Sequence, residues 1–201
     1  ICYDGTPWHK ERVWAEENGF RVYEFRLTED ILMDLIEKEM PFTLSTVEVT
    51  SAHLQACIGY DARSKIVFIR DPTERHYGEM LLDGLIDEHP VSGPRGMLFI
   101  PEAMVGKVAD THFPDQHIYD CKHNLMLALD EHDTIKIDQA MSTMRAINEN
   151  HPQVIQSEIR VASYRGNLSK SHELKKQLHE RFPEQQSLTY SYYNSSLQNS
   201  S

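Results

Sequence analysis

His53 and Asp71 are the two residues of this chain whose types and spacing suit acid–base chemistry. They belong to SAHLQACIGYDARSKIVFIRDPTERHYGE (51–79). His53 opens one apolar run, HLQACIGY, and Asp71 closes the next, KIVFIRD, with the turn residues Asp-Ala-Arg-Ser between them. An antiparallel hairpin is expected. If its turn centres on Ala62, His53 faces Asp71; if it centres between Ala62 and Arg63, the two are out of register by one residue. Either way they lie within one strand spacing, about 5 Å between paired positions. Alternation places His53, Gln55 and Cys57 on one face and Leu54, Ala56 and Ile58 on the other. A carboxylate beside an imidazole fixes its tautomer and stabilises its cation, which a general base needs when it activates a thiol or hydroxyl. The same pair also serves elsewhere as a plain buried hydrogen bond, and geometry alone leaves both uses open.

A nucleophile is the missing third member, and the candidates are Cys2, Cys57 and Cys121. Cys57 lies on the His53 strand itself, and Cys121 lies far along the chain. Cys2 precedes YDGT (3–6), with no Gln upstream of it. It is expected to pack in or near the core. The count is odd and no CxxC occurs, so a disulfide framework is not expected and a reducing, cytoplasmic compartment is.

The text AHLQACIGYD…IVFIRDPT resembles the papain-like cysteine peptidases of the bacteriocin-leader (double-glycine leader) type. Their pattern is His, a few apolar residues, Gly-Tyr-Asp, a short turn, an apolar strand, then Asp-Pro. YDGT ahead of a helix, Gly19-Phe20, Thr28 and Asp30 before a helix, and PFTL (41–44) look like the peptidase-like domains that stand in front of tetratricopeptide-type repeats. The resemblance covers residues 1–101. It implies an α+β papain-like domain that hydrolyses peptide or amide bonds, acts on a peptide or protein substrate, and needs no cofactor or metal. It implies His53 as general base and Asp71 as the residue orienting it. The nucleophilic Cys would stand at the N-terminus of an early helix, where the dipole lowers its pKa, with an oxyanion Gln just before it.

No cysteine of this chain stands in that place. Two accounts follow. The chain is a piece whose nucleophile lies upstream of Ile1, in keeping with a first residue that is not Met and a last stretch, SSLQNSS, without a closing element. Alternatively, it is a non-catalytic peptidase-like scaffold that binds proteins. On both accounts the 201 residues as given are expected not to cleave a peptide bond.

The elements that must position the pair are legible around it. PWHKERVWAEENG (7–19) reads as a helix stopped by Asn18-Gly19, with Trp8 and Trp14 expected in the core. FRVYEF (20–25) alternates as a strand. Thr28 caps a helix with an acidic first turn and Ile31, Leu32, Leu35 and Ile36 on one face; Pro41 ends it. FTLSTVEV (42–49) and RGMLFIP (95–101) read as further strands, the second after the Ser92-Gly93-Pro94 break. ERHYGE (74–79), with His76, Tyr77 and Glu79, is expected as a surface turn near Asp71, leading into a helix near MLLDGLI.

From about residue 115 the period becomes helical in five segments. Breaks fall at Asp133-Thr134, His151-Pro152, Gly166-Asn167 and Phe182-Pro183. The two Pro breaks, in NHP and RFP, recur at close to the period of helix-turn-helix solenoids, and an ordinary bundle fits the spacing as well. The expected organisation is a peptidase-type α+β domain over 1–108 and an all-α, tetratricopeptide-like region over 115–201. The helices are expected to take a protein partner. HFPDQHIYDCKHN (112–124) gathers His112, His117, Asp120, Cys121 and His123 in no closed zinc pattern, so no metal is expected there.

The formal net charge is −11, and residues 134–201 carry eight Lys and Arg against six Asp and Glu, so the acidic excess lies in the first part. That argues against nucleic acid as the partner. No run approaches the roughly 18 apolar residues of a membrane span.

Overall fold

The computed structural model describes residues 7–47, 52–89, 91 and 93–199. Cys2, the YDGT motif, residues 48 and 49 of an expected strand, and Ser92 of the expected break lie outside them. The architecture is mixed α/β: a six-stranded sheet and a C-terminal run of helices.

The chain divides into two compact units. One comprises Ile1–Ser45, Leu54–Ile86 and Arg95–Gln116, the other Thr46–His53, Asp87–Pro94 and His117–Ser201. The first is the sheet unit, the second the helical unit.

Helix α1 (Trp8–Glu17) leads into β1 (Phe20–Arg26) through Asn18 and Gly19. Gly19 takes φ +82°, a left-handed conformation that glycine adopts without a Cβ penalty, and the Asn18 N–H returns to the Ala15 carbonyl at 3.0 Å. Helix α2 (Glu29–Glu37) starts at Thr28, whose Oγ1 accepts the Ile31 N–H at 3.5 Å. Strand β2 (Phe42–Val47) follows, then β3 (Ala52–Asp61), β4 (Ile66–Arg70), β5 (Gly78–Leu81), helix α3 (Leu82–Asp87) and β6 (Arg95–Pro101). A 3-10 helix (Glu102–Val108) closes the unit. The sheet order is β1-β6-β2-β3-β4-β5. The pairs β1–β6, β2–β6, β3–β4 and β4–β5 are antiparallel.

The stripe Ile31, Leu32 and Leu35 of α2 is fully buried with Phe25, Leu44, Cys57, Val67, Ile69 and Leu98. Phe113 joins this core, stacked on Tyr23 at 4.5 Å. A second, smaller core has Ala15 of α1 with Val22 and Met97. Strand β1 is therefore covered on both faces, and its Glu24 is buried beside Arg12 and Arg95. Trp8 packs against the small core, as expected; Trp14, expected with it, is 64% exposed. Trp14 lies on the solvent side of α1, one residue from the buried Ala15.

The helical unit holds α4 (Gln116–Asp130), α5 (Thr134–Asn148), α6 (Pro152–Tyr164), α7 (Leu168–Arg181) and α8 (Gln186–Asn199). Asp133, His151 and Asn167 cap α5, α6 and α7 with their side chains. Pro152 occupies the first turn of α6, where its missing N–H costs no bond. Successive helices from α5 to α8 pack on one another, with Ile155, Leu174 and Leu178 as the α6–α7 core. No helix among the described residues is long and apolar enough to cross a membrane.

Candidate functional site

The β3–β4 hairpin sets the site. Its loop is ARSK, one residue later than DARS: Asp61 pairs with Ile66, and Lys65 takes φ +55°. Asp61 fixes the turn, with Oδ1 accepting the Arg63 N–H at 3.0 Å and Oδ2 the Ser64 hydroxyl at 2.5 Å. These bonds hold its carboxyl below the ordinary Asp value, Ser64 contributing most. One further residue is inserted between Cys57 and Gly59, so Ile58 is a β-bulge on β3. The displaced loop sets the register, and the bulge moves it by one residue.

Beyond the bulge Cys57 pairs with Ile69 and Ala56 with Arg70, so the next position brings Gln55 to Asp71. Gln55 Nε2 donates to Asp71 Oδ2 at 3.0 Å. This corrects the expected register, in which His53 faced Asp71 or stood one residue out of register with it. His53 opens β3 two residues before Gln55, in the segment Thr46–His53 that groups with the helical unit, whereas Asp71 belongs to the sheet unit.

Asp71 accepts from three donors on two residues. Besides Gln55, the Thr73 N–H donates to Oδ1 at 2.8 Å and the Thr73 hydroxyl to the same oxygen at 2.6 Å. An Asx-type turn at the end of β4 thus orients the carboxylate. Gln55 Oε1 is buried with no hydrogen-bond partner among the described residues. An orphan amide oxygen costs about 1–3 kcal/mol and is satisfied by any donor that reaches it.

A cavity of about 320 Å³ opens beside this pair. Ile69 and Met80 give it apolar walls; Asp71, Glu74, His76 and Glu79 give it polar ones. The stretch ERHYGE is exposed, as expected of a surface turn, and it also lines this cavity. The unexpected element is β5, which adds Gly78–Leu81 to the edge of β4, with Gly78 opposite Ile69 and Glu79 opposite Phe68. The carboxylates of Asp71, Glu74 and Glu79 suit a donor-bearing group entering this cavity.

Burial disfavours the thiolate at both described cysteines. Cys57 is fully buried in the main core; burial pushes its thiol up to about 12, against a small lowering by its bond to the Gly59 carbonyl. Cys121 on α4 is pushed up by burial and then by the neighbouring Asp120 charge. Among the described residues no three His, Cys, Asp or Glu side chains come together as metal ligands, at residues 112–124 or elsewhere.

No protein-family model matches this chain, and no curated protein or solved structure matches it either. The site therefore stands on its own geometry. Gln55 was visible on the His53 face in the alternation, but no pattern in the sequence singles it out as the partner of Asp71, because the bulge at Ile58 carries no local turn signature.

Proposed function

We propose that the β3–β4 hairpin, with His53 at its start and Asp71 at its end, belongs to a papain-like thiol hydrolase acting on peptide or amide bonds, fused to a helical scaffold that takes protein partners. The observation that carries this reading is the anchored Asp71. A carboxylate fixed by Gln55 and Thr73 at the end of one antiparallel strand, with a cavity beside it, is what a base-orienting residue requires. The resemblance of HLQACIGYD…IRDPT to bacteriocin-leader peptidases assigns the base to His53, at the start of β3. Substrate is a peptide or protein, and the nucleophile is a cysteine outside the described residues.

A second reading is favoured by one observation: Cys57 and Cys121 are both held as thiols. On that reading the unit keeps the peptidase-like shape and binds a peptide without cleaving it.

The coding sequence upstream of the Ile1 codon separates the two. A Gln followed within a few residues by a Cys opening an apolar helix is the expected finding. The longer protein should then cleave a fluorogenic double-glycine leader peptide in a thiol-dependent way. His53→Ala should lower kcat/KM by at least the roughly 10²–10⁴-fold of a lost general base. A reading frame with Ser, Gly or Ala at that position, or a longer protein whose cleavage survives His53→Ala, rejects the hydrolase.

A further inference from the structure

We propose that the helical unit binds acidic peptide segments bearing an aliphatic side chain, in a groove across α4, α6, α7 and α8. The inference rests on reading this unit as a partner-binding scaffold, and it names the partner's chemistry.

The groove has a cationic compartment of about 400 Å³, to which α4 contributes Lys122, α6 Arg160 and α7 Lys175. The chain has 31 acidic and 20 basic side chains, yet no carboxylate lines this compartment. Other basic residues of the helical unit are paired: Arg145 with Glu158, Arg165 with Asp138, Lys170 with Glu173, Lys176 with Glu180. Arg160 and Lys175 have no ion-pair partner among the described residues. Lys122 is aimed by Gln153, whose Oε1 accepts its Nζ at 2.6 Å. Gln153 is itself 1% exposed and pinned by its Nε2 on the Val91 carbonyl at 2.9 Å. Three cations line a concavity where no carboxylate among the described residues pairs with Arg160 or Lys175. In such a concavity their fields add instead of cancelling.

A second compartment of about 140 Å³ adjoins the first, with Gln156, Ile159 and Lys175 lining both. Leu178 and Leu188 close it. One end of the groove therefore takes negative charge and the other an aliphatic group. Gln156 at the junction and Ser163 and Ser191 at either end offer hydrogen bonds suited to a peptide backbone. No aromatic ring lines either compartment, so the stacking surface that single-stranded nucleic acid uses is missing. An inorganic anion would leave the aliphatic compartment unused.

The test uses the intact chain and fluorescence anisotropy. The probe is a labelled dodecapeptide of Glu, Asp and Leu; the controls are its Lys-for-Glu/Asp counterpart, inorganic phosphate and a short single-stranded oligonucleotide. The acidic peptide should bind, weaken with added salt, and lose affinity on the order of tenfold or more in the Arg160→Glu, Lys175→Glu double variant. Lys175→Gln, which removes a charge without adding one, should give a smaller loss in the same direction and serves if the double reversal disturbs the helical circular dichroism. Binding of the Lys counterpart, full competition by phosphate or oligonucleotide, or unchanged affinity in both variants overturns the inference. An array of random peptides separates that failure from the larger one. Peptides of another composition, bound equally by the variants, overturn the acidic groove and leave the scaffold standing; no bound peptide at all removes both.

Discussion

Gln55 donates its side-chain N–H to Asp71 Oδ2 across β3 and β4 at 3.0 Å, and this contact ties the end of β4 to its neighbour beyond the last paired residues. Both partners are partly buried, so the bond is stronger than an exposed one and weaker than a core pair. A double-mutant cycle of Gln55→Ala and Asp71→Ala, followed by urea unfolding, should give a coupling energy of about 0.5–1.5 kcal/mol. Asp71→Ala should cost more than Gln55→Ala, because it also strands the Thr73 N–H and hydroxyl. Additive single-mutant effects would show that the carboxylate is held by Thr73 alone.

Cys57 carries a pH dependence whose sign is fixed by its burial. Its folded thiol is raised to about 12, above an unfolded value of about 8.5. The folded chain then holds the proton that the unfolded chain releases. Stability is full below the unfolded value and falls as pH rises from there towards about 12. Tyr60 adds to the same slope: burial first, then its 2.6 Å bond to Glu29, raise its hydroxyl to about 12. Unfolding free energies between pH 8 and 11 should decline, and Cys57→Ala should flatten part of the decline. In the native chain at pH 8, Cys57 should resist a thiol reagent that modifies it at once in denaturant.

The hairpin shows where sequence reading stops. Its two strands follow from β-branched and aromatic runs, and the turn from Asp61 and Ser64, because those preferences are local. The facing of side chains does not follow, since Lys65 in a left-handed conformation and Ile58 in a bulge each move the register and neither residue type announces it. The β5 strand is similar: Gly78–Leu81 is mostly exposed and too short to be read alone, and forms because β4 offers it an open edge. The helices of the second unit, by contrast, are bounded by caps and by Pro152, and these are written in single residues. The groove between them was not legible. Gln156, Arg160 and Ser163 share a face of α6 at helical spacing, but their meeting with Lys122 and Lys175 depends on tertiary packing.

Glu24 tests a buried charge. Its side chain is 0% exposed on β1, where Arg12 of α1 donates at 3.2 Å and Arg95 of β6 lies at 3.6 Å. The Arg95 guanidinium also sits 4.9 Å from the centre of the Trp8 ring. FRVYEF reads as a strand; α1 covering one face makes its Glu24 a counter-ion for two arginines. Glu24→Gln removes the buried carboxylate that both guanidiniums face and should cost about 3–5 kcal/mol. Glu16→Gln, which touches Arg12 from a more exposed position, should cost under about 1 kcal/mol. Thermal and urea unfolding of the pair decide it, and equal effects would mean that Glu24 is not carrying the charge balance of this face.

Gly96 and Phe25 are opposite one another on β6 and β1. A Cβ built on Gly96 would stand 2.3 Å from Phe25 Cε2 and 2.4 Å from Cζ. Phe25 is fully buried and packed against Phe42 and Phe113 at 5.3 and 5.5 Å, so its ring has no free direction in which to move. Gly96→Ala should therefore destabilise the sheet unit by about 1–3 kcal/mol, the usual cost of forcing one extra methyl into a filled core. Phe25→Leu alone should also destabilise, by opening a cavity. In combination the smaller side chain makes room for the new methyl, so the double variant should be more stable than the sum of the two losses implies. A sub-additive double-mutant cycle in chemical denaturation is the expected result. Strict additivity would show that the glycine is required by the backbone and not by the ring it faces.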